Sequence, residues 1–154
     1  QYRIFRKTNG SSWQAVGTVS SNSNSFKDTS AKTGTTYTYT VRAVNKSGNG
    51  YTSSYNSTGL SVSYVGTPTI SSLSSNANGI VVRWNAISGA NKYRIYRHTG
   101  DGALMVVSTR TGTSFTDTSV ISGNTYYYRI RCVDSSGTQF TSGYTTNDKG
   151  IKKN

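Results

Sequence analysis

Two stretches of this chain repeat one another, and the repeat constrains the fold more than any other feature. Tyr2-Arg3-Ile4-Phe5-Arg6 returns as Tyr93-Arg94-Ile95-Tyr96-Arg97, 91 positions later. Ser25-Phe26-Lys27-Asp28-Thr29-Ser30 returns as Ser114-Phe115-Thr116-Asp117-Thr118-Ser119, and Gly34 to Val44 returns as Gly123 to Val133, both at a spacing of 89. The second copy has therefore lost two residues in the intervening loop. A period near 90 is too long for a solenoid repeat of roughly 20 to 50 residues, but it suits a complete small domain. Units of 1–64 and 65–154 are expected.

The copies are unequal. The second has a lead-in from Pro68 through Ile80-Val81-Val82-Arg83-Trp84 to Asn91, whereas the first begins at its Tyr-Arg-Ile motif. At the other end, Gly59-Leu60-Ser61 aligns with Gly150-Ile151-Lys152. The expectation is a first domain without its opening strands, which would lie upstream in a longer polypeptide or be donated by another molecule.

Alternation with a period of two runs through both copies. Ile80, Val82 and Trp84 share one strand face, as do Tyr93 and Ile95, then Tyr126, Tyr128, Ile130 and Cys132; the first copy offers Tyr37, Tyr39, Val41 and Ala43. Turn clusters separate these runs, among them Ser88-Gly89-Ala90-Asn91, Thr99-Gly100-Asp101-Gly102 and Ser135-Ser136-Gly137. Short strands broken by turns every ten or so residues predict an all-β sandwich. Hydrophobic residues make up only 32% of the chain, but aromatics reach 12% and include twelve Tyr. That balance fits thin sandwiches with aromatic cores better than disorder, which is poor in aromatics.

The second copy resembles a complete fibronectin type III domain: Pro68 opens the first strand, Trp84 stands in the second, Tyr93-Arg94-Ile95-Tyr96 forms the third, and Tyr126-x-Tyr128-x-Ile130-x-Cys132 follows. The first copy has Tyr37-x-Tyr39-x-Val41-x-Ala43-x-Asn45, which is similar to the family's Tyr-x-Val-x-Val-x-Ala-x-Asn signature. The resemblance implies two tandem immunoglobulin-like sandwiches, the first lacking its first two strands. It also implies that Tyr37 and Tyr126 are tyrosine corners, whose hydroxyls bond to backbone. The Ser, Thr and Asn-rich flavour is similar to repeats in secreted or cell-surface bacterial proteins.

Catalysis has little to work with, and no catalytic, metal or cofactor site is expected. The five carboxylates are all Asp, and Asp28 and Asp117 are repeat equivalents suited to fixing turns. The single His98, placed in a loop after Arg97, gives Cys132 no activating base, so Cys132 is expected as a buried core thiol. No apolar run is long enough to span a membrane.

Seventeen Lys and Arg against five Asp give a formal charge of +12, a surface that attracts polyanions. If the apolar faces point inward, pleating turns Arg94, Tyr96, Tyr127, Arg129 and Arg131 outward on two neighbouring strands, with Arg3, Phe5 and Arg42 as a weaker version in the first copy. These five are the candidate binding residues: Tyr could stack on sugar rings while Arg engages carboxylate or phosphate. The competing expectation is that cross-strand Tyr and Arg merely stabilise the sheet.

The function expected is a non-enzymatic spacer, with upstream domains of the same polypeptide as partners, in a secreted or surface protein. The alternative is a binding module for an anionic cell-wall glycan or polysaccharide, and a further one is an adhesive segment. No specific nucleic acid partner is expected, because charge alone favours one and no matching motif is present. The short linker from Tyr64 to Pro68 predicts a partly rigid rod.

Overall fold

The structure, a computed structural model, describes residues 1–145 and 148–154. It consists of two compact units, Gln1–Tyr64 and Val65–Asn154. Among the described residues every regular element is a strand, and no helix is long and apolar enough to cross a membrane.

The second unit is a two-sheet sandwich. One sheet has the order β5-β6-β9, from β5 (Ile70–Asn76), β6 (Gly79–Trp84) and β9 (Ser114–Asp117). The other has the order β11-β10-β7-β8, from β7 (Lys92–His98), β8 (Met105–Arg110), β10 (Thr125–Val133) and β11 (Lys149–Lys152). All pairings are antiparallel. The alternating residues meet between the sheets: Ile80, Val82, Ile95, Tyr128, Ile130 and Cys132 are all fully buried, and the Trp84 ring meets Tyr93 edge-on at 5.5 Å. Burying such side chains contributes about 1.5–3 kcal/mol each relative to exposure, so this inner face is the main stabilising feature of the unit. The β5–β6 turn needs its glycine. Gly79 has a φ of 142°, and a Cβ there would collide with the Asp117 backbone.

The first unit is a single four-stranded sheet of order β2-β1-β3-β4, from β1 (Tyr2–Lys7), β2 (Gln14–Val19), β3 (Thr35–Ala43) and β4 (Leu60–Tyr64). It corresponds to the β8-β7-β10-β11 sheet, and counterparts of β5 and β6 are absent among the described residues. The loss extends one strand further than the sequence reading expected. Ser25 to Asp28, the repeat of β9, forms no strand, because β9 obtains its ladder from β6 and no β6 equivalent is present to pair with. Instead Phe26 folds back onto its own sheet, its ring lying where a Cβ on Gly17 would be.

The inner face of this sheet is consequently open. Ile4 and Tyr37 are buried, but Val41 is 49% exposed where its repeat equivalent Ile130 is fully buried. Val62 and Leu60 are also exposed, and Tyr2, Ile4, Val19, Phe26 and Val41 line a cleft of about 400 Å³.

Two local expectations need correction. His98 is the last residue of β7, not a loop residue, because its pairing with Tyr127 extends the ladder. The C-terminal alignment shifts by two: Tyr37 pairs with Val62 as Tyr126 pairs with Ile151, so Ile151 is the counterpart of Val62 and not of Leu60. Strand pairing decides this register, whereas matching Gly-Leu to Gly-Ile follows composition.

Candidate functional site

The repeated Asp residues build the same cluster twice. Asp117, 1% exposed, receives Arg97 Nη1 at 2.8 Å and the Tyr128 hydroxyl at 2.9 Å on one oxygen. Its other oxygen accepts the Ser119 backbone N–H and hydroxyl at 3.1 and 2.8 Å. In the first unit Asp28 receives Arg6, Tyr39 and Ser30 in the same roles, at 2.6 to 3.0 Å. Burial opposes ionisation of Asp28, but bonds from Ser30, Tyr39 and Arg6 outweigh it and hold the carboxyl at about 2. Burial likewise opposes ionisation of Asp117, and Ser119, Arg97 and Tyr128 again prevail, keeping its carboxyl below the usual range. A carboxylate so fully bonded is an anchor for the turn after it and a poor proton donor or acceptor. The tyrosine corners are formed as well. Tyr37 and Tyr126 hydroxyls accept the backbone N–H of Lys32 at 3.0 Å and of Ile121 at 2.9 Å.

The five candidate binding residues lie on the side of β7 and β10 away from the core. Arg129 stands opposite Tyr96, Arg131 opposite Arg94, and Tyr127 opposite His98. The segment after β10 folds back over this side and engages most of it. Arg131 donates through Nε and Nη2 to Ser142 O at 3.2 and 2.9 Å and lies over the Phe140 and Tyr144 rings at 3.7 and 4.5 Å. Arg94 donates to Gly137 O, and its guanidinium is 5.5 Å from the Phe140 centroid. Tyr96 is only 6% exposed, packed edge-on against Tyr144 at 5.1 Å. Arg129 forms a two-pronged ion pair with Asp148, and its hydrogen bonding holds that carboxyl below the usual range. Tyr127 stacks on His98 with centroids 5.0 Å apart, and His98 reaches Asp148 at 3.3 Å.

The first unit repeats the arrangement. Arg42 donates twice to Ser53 O at 3.2 Å and lies 3.7 Å over Tyr51, while Arg3 donates to Gly48 O at 2.7 Å. The Ala43 N–H binds the Ser53 hydroxyl just as Cys132 N–H binds that of Ser142, at 2.9 and 2.8 Å. Arg, Ser and an aromatic residue thus recur at spacings of 11 and 9 in both copies: Arg42, Ser53, Tyr51 and Arg131, Ser142, Phe140. The sequence reading missed Phe140, Ser142, Tyr144 and Asp148. The repeated spacing was the available signal.

Cys132 is fully buried, with its Sγ 3.7 Å from Gly66 O, and burial pushes the thiol up. Among the described residues, no group of three or more His, Cys, Asp or Glu is placed to hold a metal ion.

No protein-family model matches the chain. Exoglucanase B of Cellulomonas fimi is 34% identical over 134 residues, which cover 79% of this chain and 12% of that protein. Amylopullulanase of Thermoanaerobacterium saccharolyticum is 39% identical over 70 residues, covering 44% of this chain and 6% of that protein. The chain therefore spans a small fraction of either relative. Among solved structures, a two-domain fibronectin type III segment of chicken tenascin matches 99% of this chain and 83% of its own length, with 21% identity and a TM-score of 0.50. The paired sheets, the tyrosine corners and this likeness agree on the architecture: the chain has the fold of tandem fibronectin type III domains, all-β and immunoglobulin-like.

Proposed function

We propose that this tandem is a non-catalytic accessory module that spaces and presents an upstream domain of a larger extracellular or surface protein. The observation that carries this reading is the closure of the outer faces. In both units the arginines that could contact a ligand are bonded to the unit's own loop, so the chemistry on that side serves the fold. The relatives support it, because the match falls on small parts of an exoglucanase and an amylopullulanase. Docking of an anionic glycan on Arg94, Tyr96, Tyr127, Arg129 and Arg131 would first require that loop to lift.

A tether works through its length and stiffness, which set an effective concentration, and not through a particular surface. The test is a replacement. A polysaccharide hydrolase domain is fused ahead of the chain, and the chain is then exchanged for an unrelated two-sandwich tandem of equal length. Activity on insoluble polysaccharide should survive the exchange, as should turnover of a soluble oligosaccharide. Loss of the first with retention of the second would contradict a pure spacer.

A further inference from the structure

Beyond the closed outer face, the second unit carries an open groove of about 640 Å³ at the end of the β7–β8 pair, within the range of about 300–1,000 Å³ usual for ligand sites. Lys92, Arg94 and Arg110 line it together with hydroxyl groups, including those of Thr109, Thr111 and Thr138. No carboxylate among the described residues lines the groove or pairs with Lys92 or Arg110. Asp134, in the adjoining loop, is directed into that loop, accepting the Thr138 and Gln139 N–H groups at 2.9 and 3.1 Å and the Ser136 hydroxyl at 2.7 Å. Arg94 is held by Gly137 O and Thr109, and Arg110 Nε by Ser108 at 3.0 Å, so two of the three cations are fixed in direction.

The first unit lacks this constellation. Strand register places Gln1 where Lys92 stands, and Val19, paired with Tyr2, where Arg110, paired with Tyr93, stands. Of the three cations only Arg3 remains. A solubilising charge excess has no reason to gather in one concave place in one copy, whereas a cleft lined by a single sign of charge concentrates counter-ions.

We infer that this groove of the second domain is a binding site for a carboxylate-bearing polysaccharide, a polyuronate, held by Lys92 and Arg110 with hydroxyl donors between them, while Arg94 stays bonded to Gly137 O and adds only its positive charge. The lining residues include no aromatic platform for a neutral sugar ring, so recognition runs through charge and hydrogen bonds. An open groove lined with hydroxyls suits a chain that carries hydroxyls between its charges better than a compact phosphate. This inference goes beyond the spacer reading and does not rest on it.

Affinity electrophoresis or calorimetry of the full chain with alginate tests it, using the propylene glycol ester of alginate as the uncharged partner and polyphosphate as the phosphate polymer. The chain should bind alginate, bind the ester far more weakly, and bind polyphosphate no better than alginate. Lys92→Gln with Arg110→Gln should weaken alginate binding by about tenfold or more, and Lys92→Gln alone by about threefold, as expected for lost charge-assisted bonds. Lys27→Gln with Lys46→Gln removes the same charge from exposed positions of the first unit and should change binding by less than about twofold. Thermal midpoints measured alongside show that each variant is folded. Absence of alginate binding, equal binding of the ester, preference for polyphosphate, or equal loss in the two double variants would overturn the inference. None of these outcomes touches the replacement test of the spacer.

Discussion

The Arg131 guanidinium lies 3.7 Å from the centroid of the Phe140 ring, and 89 residues earlier Arg42 lies at the same distance over Tyr51. In both units the arginine also donates to a loop carbonyl, Ser142 O or Ser53 O. The contact therefore does one job in both copies: it clamps the loop after the long strand onto the sheet. A cation over an aromatic face contributes about 0.5–1 kcal/mol when exposed and about 2 when desolvated, and hydrogen bonds from a charged donor add to this.

Core phase is tested in β6. Trp84 is 3% exposed and packs on Tyr93, whereas Val81 points to the opposite face. Trp84→Ala should destabilise the second domain by about 3–5 kcal/mol, because a large buried aromatic leaves a cavity. Val81→Ala should cost less than half as much. Chemical denaturation followed by tyrosine fluorescence would show this difference, and equal losses would mean the strand phase is wrong.

The open face of the first domain makes a matched comparison possible inside one molecule. Ile130 and Val41 are repeat equivalents, one fully buried and the other 49% exposed. Ile130→Ala should cost about 2–5 kcal/mol, and Val41→Ala less than about 1. Domain-specific unfolding, read by amide exchange, is the measurement. A large cost at Val41 would mean that something covers this face in solution.

Acid should weaken the first domain through Asp28. Its folded value of about 2 lies below the unfolded value of about 3.9, so the stability it contributes is present above pH 4 and is lost as pH falls toward 2. The stability difference between the wild type and Asp28→Asn should therefore shrink over that interval. A difference that stays constant from pH 5 to pH 2 would show that the Arg6, Tyr39 and Ser30 bonds do not favour the ionised form.

The strand faces were legible because period-two alternation in Tyr126, Tyr128, Ile130 and Cys132 is a local property that pleating converts directly into burial. The tyrosine corners and the turn-fixing role of Asp117 were legible from family resemblance and repeat position. What lies over the outer side was not legible. Whether Arg131 meets water, a ligand or Phe140 depends on the path of a loop whose residues carry no periodic signal. The missing third strand of the first domain was hidden for a related reason. Ser25 to Asp28 has the same motif as β9, but a strand also needs a partner, and β6 has no counterpart there. Lys153 shows the same limit: nothing in its polar sequence neighbourhood marks it for burial, yet it is buried, with its amino group on Asn76 O at 2.9 Å.

The central claim is that the outer arginines hold the fold together and do not receive a ligand. Arg131→Gln tests it most directly when unfolding and retention on acidic polysaccharide are measured on one preparation. The account expects stability of the second domain to fall by about 1–3 kcal/mol, with faster exchange of the Thr141 and Thr145 amides that bond to Cys132 O and Ile130 O, and retention close to wild type. Unchanged stability with retention abolished would make Arg131 a ligand contact and contradict the account.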